Sequence, residues 1–519
     1  MSATASITTP IYYVNDRPHI GHVFTTSLCD TWARAMRLRG RDTFFLTGTD
    51  EHGVKVEKSA VANGVSPQVW ADRNAAEFEA VLKLFQQTND DFIRTTQPRH
   101  ERQVQALVER LKAAGVLYKG AFEGWYDEGE ENYLTETRAK ECEYRSPVSG
   151  RPLVRAKEEN WYFRLSAFAP KLEAMFAANP DFVRPAARRN EVLGRLREGL
   201  QDVPMTRTNV SWGIPMPGDP GHVIYVWIDA LFNYATALGL GEPGGALAKD
   251  RAKYWPPEYH VIGKEILWFH AVIWPAMLMA LELPLPKCVY AHSFWISEGQ
   301  KMSKSLGNFI DLAALEGYVG KYGLDALRWF MLTRGPLEAT DADFRALAFH
   351  ETYVADLVNT VGNCSSRVTA MIGKTFDGAM PADTRGGDAW PAMCANVVRQ
   401  WEGHMDRFEL GPAAAAAIGL LREVDGFINR TEPFKLAKDP AKRDEVASIL
   451  AQCAETVRIA SLLLEPFLPQ RMADLQVALG APMAGSPWTQ RVAWGGLKAG
   501  TKMTKVALYP RIEAPSTLA

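Results

Sequence analysis

Two short segments of the sequence carry side chains that can handle a nucleoside triphosphate. The first is His19-Ile20-Gly21-His22, and the second, far along the chain, is Lys301-Met302-Ser303-Lys304-Ser305, the lysine loop. Histidines spaced i and i+3 around a helix start can donate hydrogen bonds to phosphate oxygens, beside the free N–H groups of the helix. Lysines on a loop can follow the outer phosphates and stabilise a leaving pyrophosphate. The pair predicts nucleotidyl transfer, in which a carboxylate attacks the α-phosphorus of ATP.

The sequence around the first segment predicts a strand, a helix and a second strand. Residues 7–13 are rich in β-branched and aromatic side chains, apolar residues recur at helical spacing over 22–40, and residues 43–46 predict the next strand. A right-handed crossover makes the two strands parallel neighbours, and ligands bind such sheets at the carboxyl ends of the strands. Residues 13–22 and 47–53 lie there, so we expect the site at that edge.

The rest of the chain divides by composition. Residues 120–155 are rich in Glu, Gly, Pro and Tyr and indicate an inserted subdomain over 116–225. Residues 225–229 are predicted to resume the main sheet, and residues 288–296 predict a strand that leads into the lysine loop. Helical patterns fill most of residues 344–479, so the C-terminal third is predicted to be an α-helical domain.

Bulk composition indicates a soluble protein of several domains. A chain of 519 residues is too long to fold around a single hydrophobic core. Contents of 47% hydrophobic and 23% charged residues are ordinary for a globular protein. A net charge of −2 neither indicates nor excludes nucleic-acid binding. The scattered cysteines, without a C-x-x-C pair, indicate reduced thiols in a cytoplasmic protein. We expect no secretory signal and no membrane partner, and we interpret the apolar residues 266–283 as a buried helix.

Longer stretches identify the sequence as similar to a known family. Together with the two segments, residues 10–15, 47–53, 212–215, 225–230 and 263–266 resemble class I aminoacyl-tRNA synthetases, and in detail the methionyl-tRNA synthetases. The resemblance runs essentially end to end. It implies a methionine–tRNA ligase: L-methionine and ATP give methionyl-adenylate and pyrophosphate, and the methionyl group then moves to the terminal adenosine of tRNA(Met). It also implies Mg²⁺ as the companion of ATP.

The resemblance implies a domain organisation. The fold class is α/β, with a Rossmann-type parallel-sheet catalytic domain over residues 1–115 and 226–285 and an inserted connective subdomain over 116–225. A stem-contact region with the lysine loop follows over 286–343, and an all-α anticodon-binding helical domain occupies 344–519. The β-barrel module that often brings dimerisation in the family does not follow, so we expect a monomer.

The resemblance assigns the ATP site to the two segments and one acid. The implied catalytic residues are His19, His22, Lys301 and Lys304. The implied ATP contacts are Gly21, His22, Glu265, Lys301 and Lys304. Glu265 stands where Asp also occurs in the family, which makes its transfer to an ATP contact less direct than that of the other four.

The resemblance also implies a methionine site. Asp50, at a strand end, can pair with the substrate ammonium, and aromatic side chains can surround the polarizable sulfur. The alternative is that the aromatic members form only a buried helix–sheet core, since Ile266, His270 and Trp274 share one helix face. We expect them to line both core and pocket. The implied methionine-binding residues are Ile11, Tyr13, Asp50, Trp227, Ala230, Tyr234, Ile266, His270 and Trp274.

Anticodon contacts are implied at Asn363, Arg367 and Phe434. Proteins read single-stranded RNA by stacking on its bases and by hydrogen bonds to base edges, for which Asn, Arg and an aromatic ring are suited. The family often has Trp in place of Phe434, which leaves stacking plausible and removes an indole hydrogen bond. From spacing alone, Asn363 and Arg367 could equally be exposed residues of a core helix.

Residues 116–225 contain one cysteine, Cys142. A structural zinc site needs four Cys or His ligands at close spacing, so we predict no zinc and no other structural metal. Packing and hydrogen bonds would instead hold this knuckle, through Trp125, Tyr126, Tyr133, Trp161 and Tyr162. The insertion also has no room for an editing domain.

Two other functions remain open at this stage. A related nucleotidylyltransferase or ligase could activate an amino acid for an acceptor other than tRNA, but it would not need a helical domain with anticodon residues. A non-catalytic tRNA-binding paralogue would usually lose the histidines or lysines of the two segments, and this chain keeps all four.

Overall fold

The computed structural model describes residues 4–15, 17–127, 132–134, 136–147, 149–302, 308–383, 389–481 and 485–515. Lys304 lies outside these ranges. The chain begins with an alternation of strands and helices. These are β1 (Thr4–Thr8), β2 (Tyr12–Tyr13), α1 (Ile20–Leu38), β3 (Asp42–Asp50), α2 (Val54–Ala62), α3 (Pro67–Leu84), β4 (Asp91–Arg94) and α4 (Pro98–Ala113).

The helix α1 begins at the first motif because two histidines cap it. The side chain of His19 accepts from the backbone N–H of Gly21, and the His22 ring accepts from the backbone N–H of His19, which forms a capping box. A buried face that includes Trp32 then runs along the helix. The helix ends before Gly40, whose φ of +79° is the left-handed conformation of a helix terminus.

The next segment forms antiparallel sheets and short helices. One four-stranded sheet has the order β6-β5-β7-β9, and a three-stranded sheet has the order β10-β12-β11. The elements are β5 (Leu117–Asp127), β6 (Asn132–Leu134), α5 (Glu136–Glu141), β7 (Val154–Phe163), α6 (Ala169–Ala178), β8 (Val183–Arg184), α7 (Ala186–Arg197), β9 (Val203–Pro204), β10 (Thr206–Arg207), β11 (Pro215–Met216) and β12 (Asp219–Ile224).

Aromatic and acidic side chains hold the knuckle of this segment. Trp125 Nε1 donates to Glu136 at 2.8 Å, the Tyr144 hydroxyl donates to the other oxygen of Glu136 at 3.2 Å, and the Trp125 and Tyr144 rings lie 4.6 Å apart. Nearby, Trp161 Nε1 donates to Asp219 at 2.9 Å. The side chain of the predicted knuckle residue Tyr133 lies outside the described part of the structure, while Tyr126 and Tyr162 are buried.

The chain then returns to the main sheet. A π-helical stretch, Phe269–Ile273, interrupts the apolar helix predicted there. The elements are α8 (Val226–Thr236), α9 (Ala246–Arg251), β13 (Tyr259–Gly263), α10 (Trp274–Ala280), β14 (Cys288–His292), β15 (Trp295–Ser297), β16 (Gln300–Lys301), α11 (Leu312–Tyr322), α12 (Leu324–Arg334) and β17 (Ala342–Phe344).

The main sheet has seven parallel strands in the order β2-β3-β1-β13-β14-β8, with β4 also paired to β3. The predicted parallel βαβ unit is confirmed, because Thr4–Thr8 pairs with Asp42–Leu46 on either side of α1. Two expectations are wrong. Residues 225–229, which were expected to resume the sheet, begin α8 instead. Residues 116–225, which were expected to be an insertion throughout, contain β8, and β8 belongs to the main sheet.

The C-terminal part is helical, as predicted. Its longest apolar stretch, Pro440–Leu464, is long and apolar enough to cross a membrane, but residues 446–464 are buried in the protein, so it is the central helix of this region. The elements are α13 (Ala346–Thr352), a π-helical stretch (Tyr353–Gly362), α14 (Asn363–Phe376), α15 (Ala389–Asp406), α16 (Leu410–Thr431), α17 (Pro433–Leu436), α18 (Arg443–Leu464), α19 (Pro469–Ala478) and α20 (Trp488–Arg491).

The helix α1 also joins the sheet to the helical region. Asp30 on α1 and Arg328 on α12 form a buried ion pair, with 2.8 Å between Oδ2 and Nη1. Arg328 also donates to the carbonyls of Pro466 and Phe467. Trp32 Nε1 donates to the carbonyl of Met405 at 3.0 Å. One rigid helix therefore reaches from the first motif to the helical region.

Candidate active site

Backbone pairing brings the first motif and the end of the lysine loop together. His19 and Asp311 form an antiparallel bridge, and the N–H of Ile20 donates to the carbonyl of Ile310 at 3.3 Å. The edge of the Phe309 ring lies against His19, with centroids 5.3 Å apart. The segment that leaves the lysine loop is thus fixed against the N-terminus of α1.

The entrance to the lysine loop is tied to the same segment. Lys301 ends β16, which pairs with β15, and its side chain is exposed. The Asn308 side chain donates to the carbonyl of Lys301 at 3.3 Å, so the two ends of the loop meet. Lys301 therefore lies next to Asn308, the start of the segment that pairs with the first motif through Ile310 and Asp311. Lys304 falls outside the described residues.

The hydrogen bonds of the two histidines fix their protons. Nδ1 of His19 accepts from the Gly21 N–H at 3.1 Å, and Nδ1 of His22 accepts from the His19 N–H at 3.2 Å. The proton of each neutral ring is therefore on Nε2, where it is a donor. Burial, and secondarily the neighbouring His19 ring at 3.9 Å, lower the pKa of His22 well below its usual value. Both rings can donate to phosphate oxygens.

Gly21 is required by this arrangement. A Cβ at position 21 would lie 2.9 Å from Cε1 of His19, closer than side-chain atoms tolerate, so any other residue would displace the ring. The glycine therefore keeps His19 in its capping position and leaves the helix start open.

The structure gathers the predicted methionine-site residues around one apolar cluster. Tyr13 and Asp50 are register partners on β2 and β3. Ile11, Tyr13, Trp227 and Ile266 pack, partly buried, against a core that contains Tyr234 and Trp274. Ala230 is buried on α8, one turn from Trp227. The predicted methionine-site residues therefore share side chains with, or pack against, the hydrophobic core.

Hydrogen bonds within this cluster fix the histidine on its helix. His270 Nδ1 donates to the carbonyl of Ile266 at 3.0 Å, so its Nε2 accepts from the Tyr234 hydroxyl at 2.7 Å. Burial lowers the pKa of His270 to about 4, which keeps the ring neutral. Its ring hydrogen is therefore already committed within the helix, and the polarizable faces of the aromatic rings remain for a thioether.

Phe269 completes one wall and was not predicted. Its ring stacks on Trp227, with centroids 4.0 Å apart and planes 10° apart. Phe269 and His270 are the first residues of the π-helical stretch, a feature that often occurs at functional sites. The only sequence signal was the aromatic residue beside His270.

A buried carboxylate ties the pocket elements together. Asp229 on α8 accepts from Nδ1 of His52 and from Nε2 of His100, both at 2.6 Å, and Nδ1 of His100 lies 2.7 Å from the Thr236 hydroxyl. Burial favours the neutral acid, but the two histidines outweigh it and lower the pKa of Asp229. The His52 carbonyl accepts from the Tyr13 hydroxyl at 3.1 Å. This Asp229 clamp joins α4, α8 and the end of β3.

Glu265 lies in the short 3₁₀ turn that follows β13. Its side chain is exposed and folds back over Gly263, where a Cβ would collide with the carboxylate. Desolvation by the surrounding protein raises the pKa of Glu265. The neighbouring Lys264 pairs with Asp341 at 2.6 Å and is directed away from this acid.

Comparisons with known proteins show the family of this chain. A family model described as tRNA synthetases class I (M) matches residues 5–147 and 140–369. A methionine–tRNA ligase of Rhizobium meliloti is 42% identical, over 98% of this chain and 98% of its own length. One of Bacillus subtilis is 40% identical, over 99% of this chain and 79% of its own length.

A solved structure is also similar to this chain. The methionyl-tRNA synthetase of Mycobacterium tuberculosis in complex with methionyl-adenylate is 34% identical, covers 98% of this chain and 100% of its own, and superposes with a TM-score of 0.91. The chain belongs to the methionyl-tRNA synthetase family. It is an enzyme that forms aminoacyl-tRNA, and its α/β sheet followed by a helical region is the fold of the class I synthetases.

The predicted anticodon residues lie on the helical region. Asn363 is exposed at the start of α14. Arg367, one turn later, pairs with Asp425 at 2.9 Å and donates to Asn429 at 3.0 Å, both on α16. The Phe434 ring is 47% exposed on α17, directly after α16 ends. An exposed amide, an oriented guanidinium and an open aromatic face thus occur along two adjoining helices.

Proposed function

We propose that the junction between the first motif and the lysine loop is the adenylation centre of this methionine–tRNA ligase. The observation that carries the proposal is the backbone bridge between His19 and Asp311, together with the contact of Phe309 on His19. It supports a site in which two neutral imidazole donors and a lysine loop act on one triphosphate. Membership of the synthetase family supports the same assignment.

In the first step, a carboxylate oxygen of methionine attacks the α-phosphorus of ATP. The bond from that phosphorus to the bridging oxygen breaks, and pyrophosphate leaves with the electron pair. The carboxylate needs no base, so the task of the protein is to stabilise the added negative charge on the α-phosphate. Nε2–H of His19 and of His22 are assigned to that task, and the positive end of the α1 dipole adds to the potential, since the N–H groups of Ile20 and Gly21 already have partners. Lys301 and Lys304 are assigned to the pyrophosphate.

We assign amino-acid recognition to the pocket between β3, α8 and the π-helical stretch. Asp50 pairs with the ammonium of methionine, and Tyr13, Trp227, Tyr234, Ile266, His270 and Trp274 surround its side chain, with Ile11 and Ala230 at the edges. Support comes from their common apolar cluster. Glu265 is assigned to ATP, with Gly21 allowing close approach at the helix start.

Mg²⁺ is proposed as part of the ATP substrate, bound mainly through the phosphates. Within the described ranges, no group of three or more His, Cys, Asp or Glu side chains is placed to hold a metal. The absence of structural zinc stays a prediction, supported by the hydrogen bonds of Trp125 and Tyr144 to Glu136 in the knuckle.

The second step transfers the methionyl group to the terminal adenosine of tRNA(Met). We propose that Asn363, Arg367 and Phe434 recognise the anticodon and that residues 286–343 contact the stem. In this division, residues 1–115 and 226–285 form the catalytic domain together with β8, the rest of 116–225 forms the connective insertion, and 344–519 form the anticodon domain. We further propose a cytoplasmic monomer.

His22→Ala tests the adenylation centre. It removes one preorganised donor, so methionine-dependent exchange of pyrophosphate into ATP should fall about 10²–10³-fold. The buried His350→Ala, in the helical region, is the matched control and should leave exchange unchanged. A loss of less than tenfold for His22→Ala, in protein that remains folded, would refute the assignment.

A further inference from the structure

Another histidine, His260, lies beside the methionine pocket and contacts two of its aromatic side chains. His260 on β13 is completely buried. The indole N–H of Trp274 points at its Nε2, at 3.2 Å, and the ring of Tyr234 packs against it, with centroids 4.1 Å apart and planes inclined by 38°. Trp274 and Tyr234, which contact the substrate in the proposed function, thus both contact His260, which does not.

The hydrogen bonds of His260 determine its tautomer. An indole N–H is only a donor, so Nε2 of His260 must be the acceptor. The ring proton is then on Nδ1 and is donated to the Thr8 hydroxyl at 2.7 Å. Burial, with a smaller contribution from His270, lowers the pKa of His260 well below its usual value, so the ring stays neutral.

The sheet holds this ring in place. Thr8 and His260 are register partners on β1 and β13, so the hydroxyl that accepts from Nδ1 is fixed by strand pairing. Trp274 is wholly buried between the rings of Phe232 and Trp255. Packing alone does not fix the direction of the Trp274 N–H, because the indole could turn over within its apolar surroundings and keep a similar outline.

We propose that His260 is a positioning residue for methionine selection: its Nε2 orients the indole of Trp274, and its face supports the ring of Tyr234. The proposal rests on the methionine pocket assigned above. It identifies a residue that shapes the side-chain subsite without touching the substrate. Loss of the acceptor leaves a buried indole N–H without a partner and frees the indole to turn, which loosens the subsite for the thioether.

Matched amide substitutions separate the two hydrogen bonds of His260. His260→Gln can place an oxygen near Nε2 and keep the acceptor for Trp274, whereas His260→Asn can reach only toward Thr8. In methionine-dependent pyrophosphate exchange, His260→Asn should raise the KM for methionine about tenfold, equivalent to about 1.4 kcal/mol, and His260→Gln should recover most of that loss. The KM for ATP should change by less than about twofold in both. The preference for methionine over norleucine, which has the same shape without sulfur, should fall in the Asn variant.

A double-mutant cycle tests the contact itself. Trp274→Phe removes the N–H donor, so adding His260→Asn to it should cause little further change in the methionine KM. Equal losses in the Gln and Asn variants, an unchanged methionine KM in the Asn variant, or additive effects in the cycle would overturn the proposal. If His260→Asn does not fold, Thr8→Val, which removes only the hydroxyl partner, should still raise the methionine KM without raising that for ATP, and no rise would overturn it.

The same assay separates this proposal from the pocket assignment. Trp227→Leu alters the pocket wall directly and should raise the methionine KM if the pocket is correctly placed. A rise for Trp227→Leu with none for His260→Asn would refute the positioning role alone. No rise for either would refute the pocket, and the positioning role with it.

Discussion

The Asp229 clamp is expected to control both the stability of the catalytic domain and the affinity for methionine. Asp229→Asn keeps the size of the side chain but replaces one of two accepting oxygens by an NH₂ group. That group would face the imidazole N–H of His52 or of His100. In the wild type, Nδ1 of His52 and Nε2 of His100 each lie 2.6 Å from an oxygen of Asp229. His100 can shift its proton to Nδ1 and donate to Thr236, so the network is weakened without leaving every member unsatisfied.

The expected loss of stability in Asp229→Asn follows from the loss of two charge-assisted hydrogen bonds. Each contributes about 1.5–3 kcal/mol, so with partial rescue by the His100 tautomer the free energy of unfolding should fall by about 2–4 kcal/mol. The methionine KM should also rise about tenfold, because α8 carries Trp227 and the His52 carbonyl holds Tyr13. The KM for ATP should stay close to that of the wild type.

The pH dependence has a defined sign. The pKa of Asp229 is lowered, so its stabilisation is present above its ordinary pKa of 3.8 and is lost as the pH falls through the lowered value. Burial opposes a charge on His52, but Asp229 outweighs it and raises the pKa of His52, so this contribution is present below 6.5 and is lost as the pH rises through the raised value. The difference between wild type and Asp229→Asn should be largest near about pH 6 and smaller at either extreme.

Chemical denaturation and the exchange assay measure these two effects on the same protein. Glu101→Gln is the matched control, because Glu101 is a half-exposed acid 3.9 Å from Nε2 of His52 and should contribute less than about 1 kcal/mol. A folded Asp229→Asn protein with the stability and methionine KM of the wild type would refute the role of the clamp.

Two further predictions concern the helical region. Phe434→Ala should lower charging of tRNA bearing the CAU anticodon by about tenfold or more while leaving pyrophosphate exchange nearly intact, because it removes the ring proposed to stack on an anticodon base, a contact worth about 1–3 kcal/mol. A parallel fall of both reactions would contradict the proposed domain division. Arg328→Met should lower the free energy of unfolding by about 1.5–3 kcal/mol, since the buried Asp30 loses one charged partner and keeps Arg34 and Thr88, and Asp30→Asn in the same chain should restore part of it. Denaturation of the single and double variants measures this, and a neutral Arg328→Met would contradict it.

The start of α1 shows what local sequence can predict. The strand-then-helix pattern is local, so the βαβ unit and the place of the first motif followed from residues 7–46. The pairing of His19 with Asp311 did not, because only the complete fold brings these segments together.

The errors have equally physical causes. A short apolar run such as 225–229 has the same composition in a buried strand and in a buried helix, and here it begins a helix that buries Asp229. The strand β8 has two residues and no periodicity to detect. The role of His260 depends on strand register and on a helix further along the chain, so only a description of contacts reveals it.

The central claim is that His19, His22 and the lysine loop act on one ATP molecule beside the methionine pocket. A crystal structure with methionine and a non-hydrolysable ATP analogue measures it most directly. The account predicts that Nε2 of His22 lies within hydrogen-bond distance of an α-phosphate oxygen, with the outer phosphates at the lysine loop and the methionine ammonium at Asp50. A triphosphate bound away from both histidines, or a methionine bound outside the cluster of Tyr234 and Trp274, would contradict it.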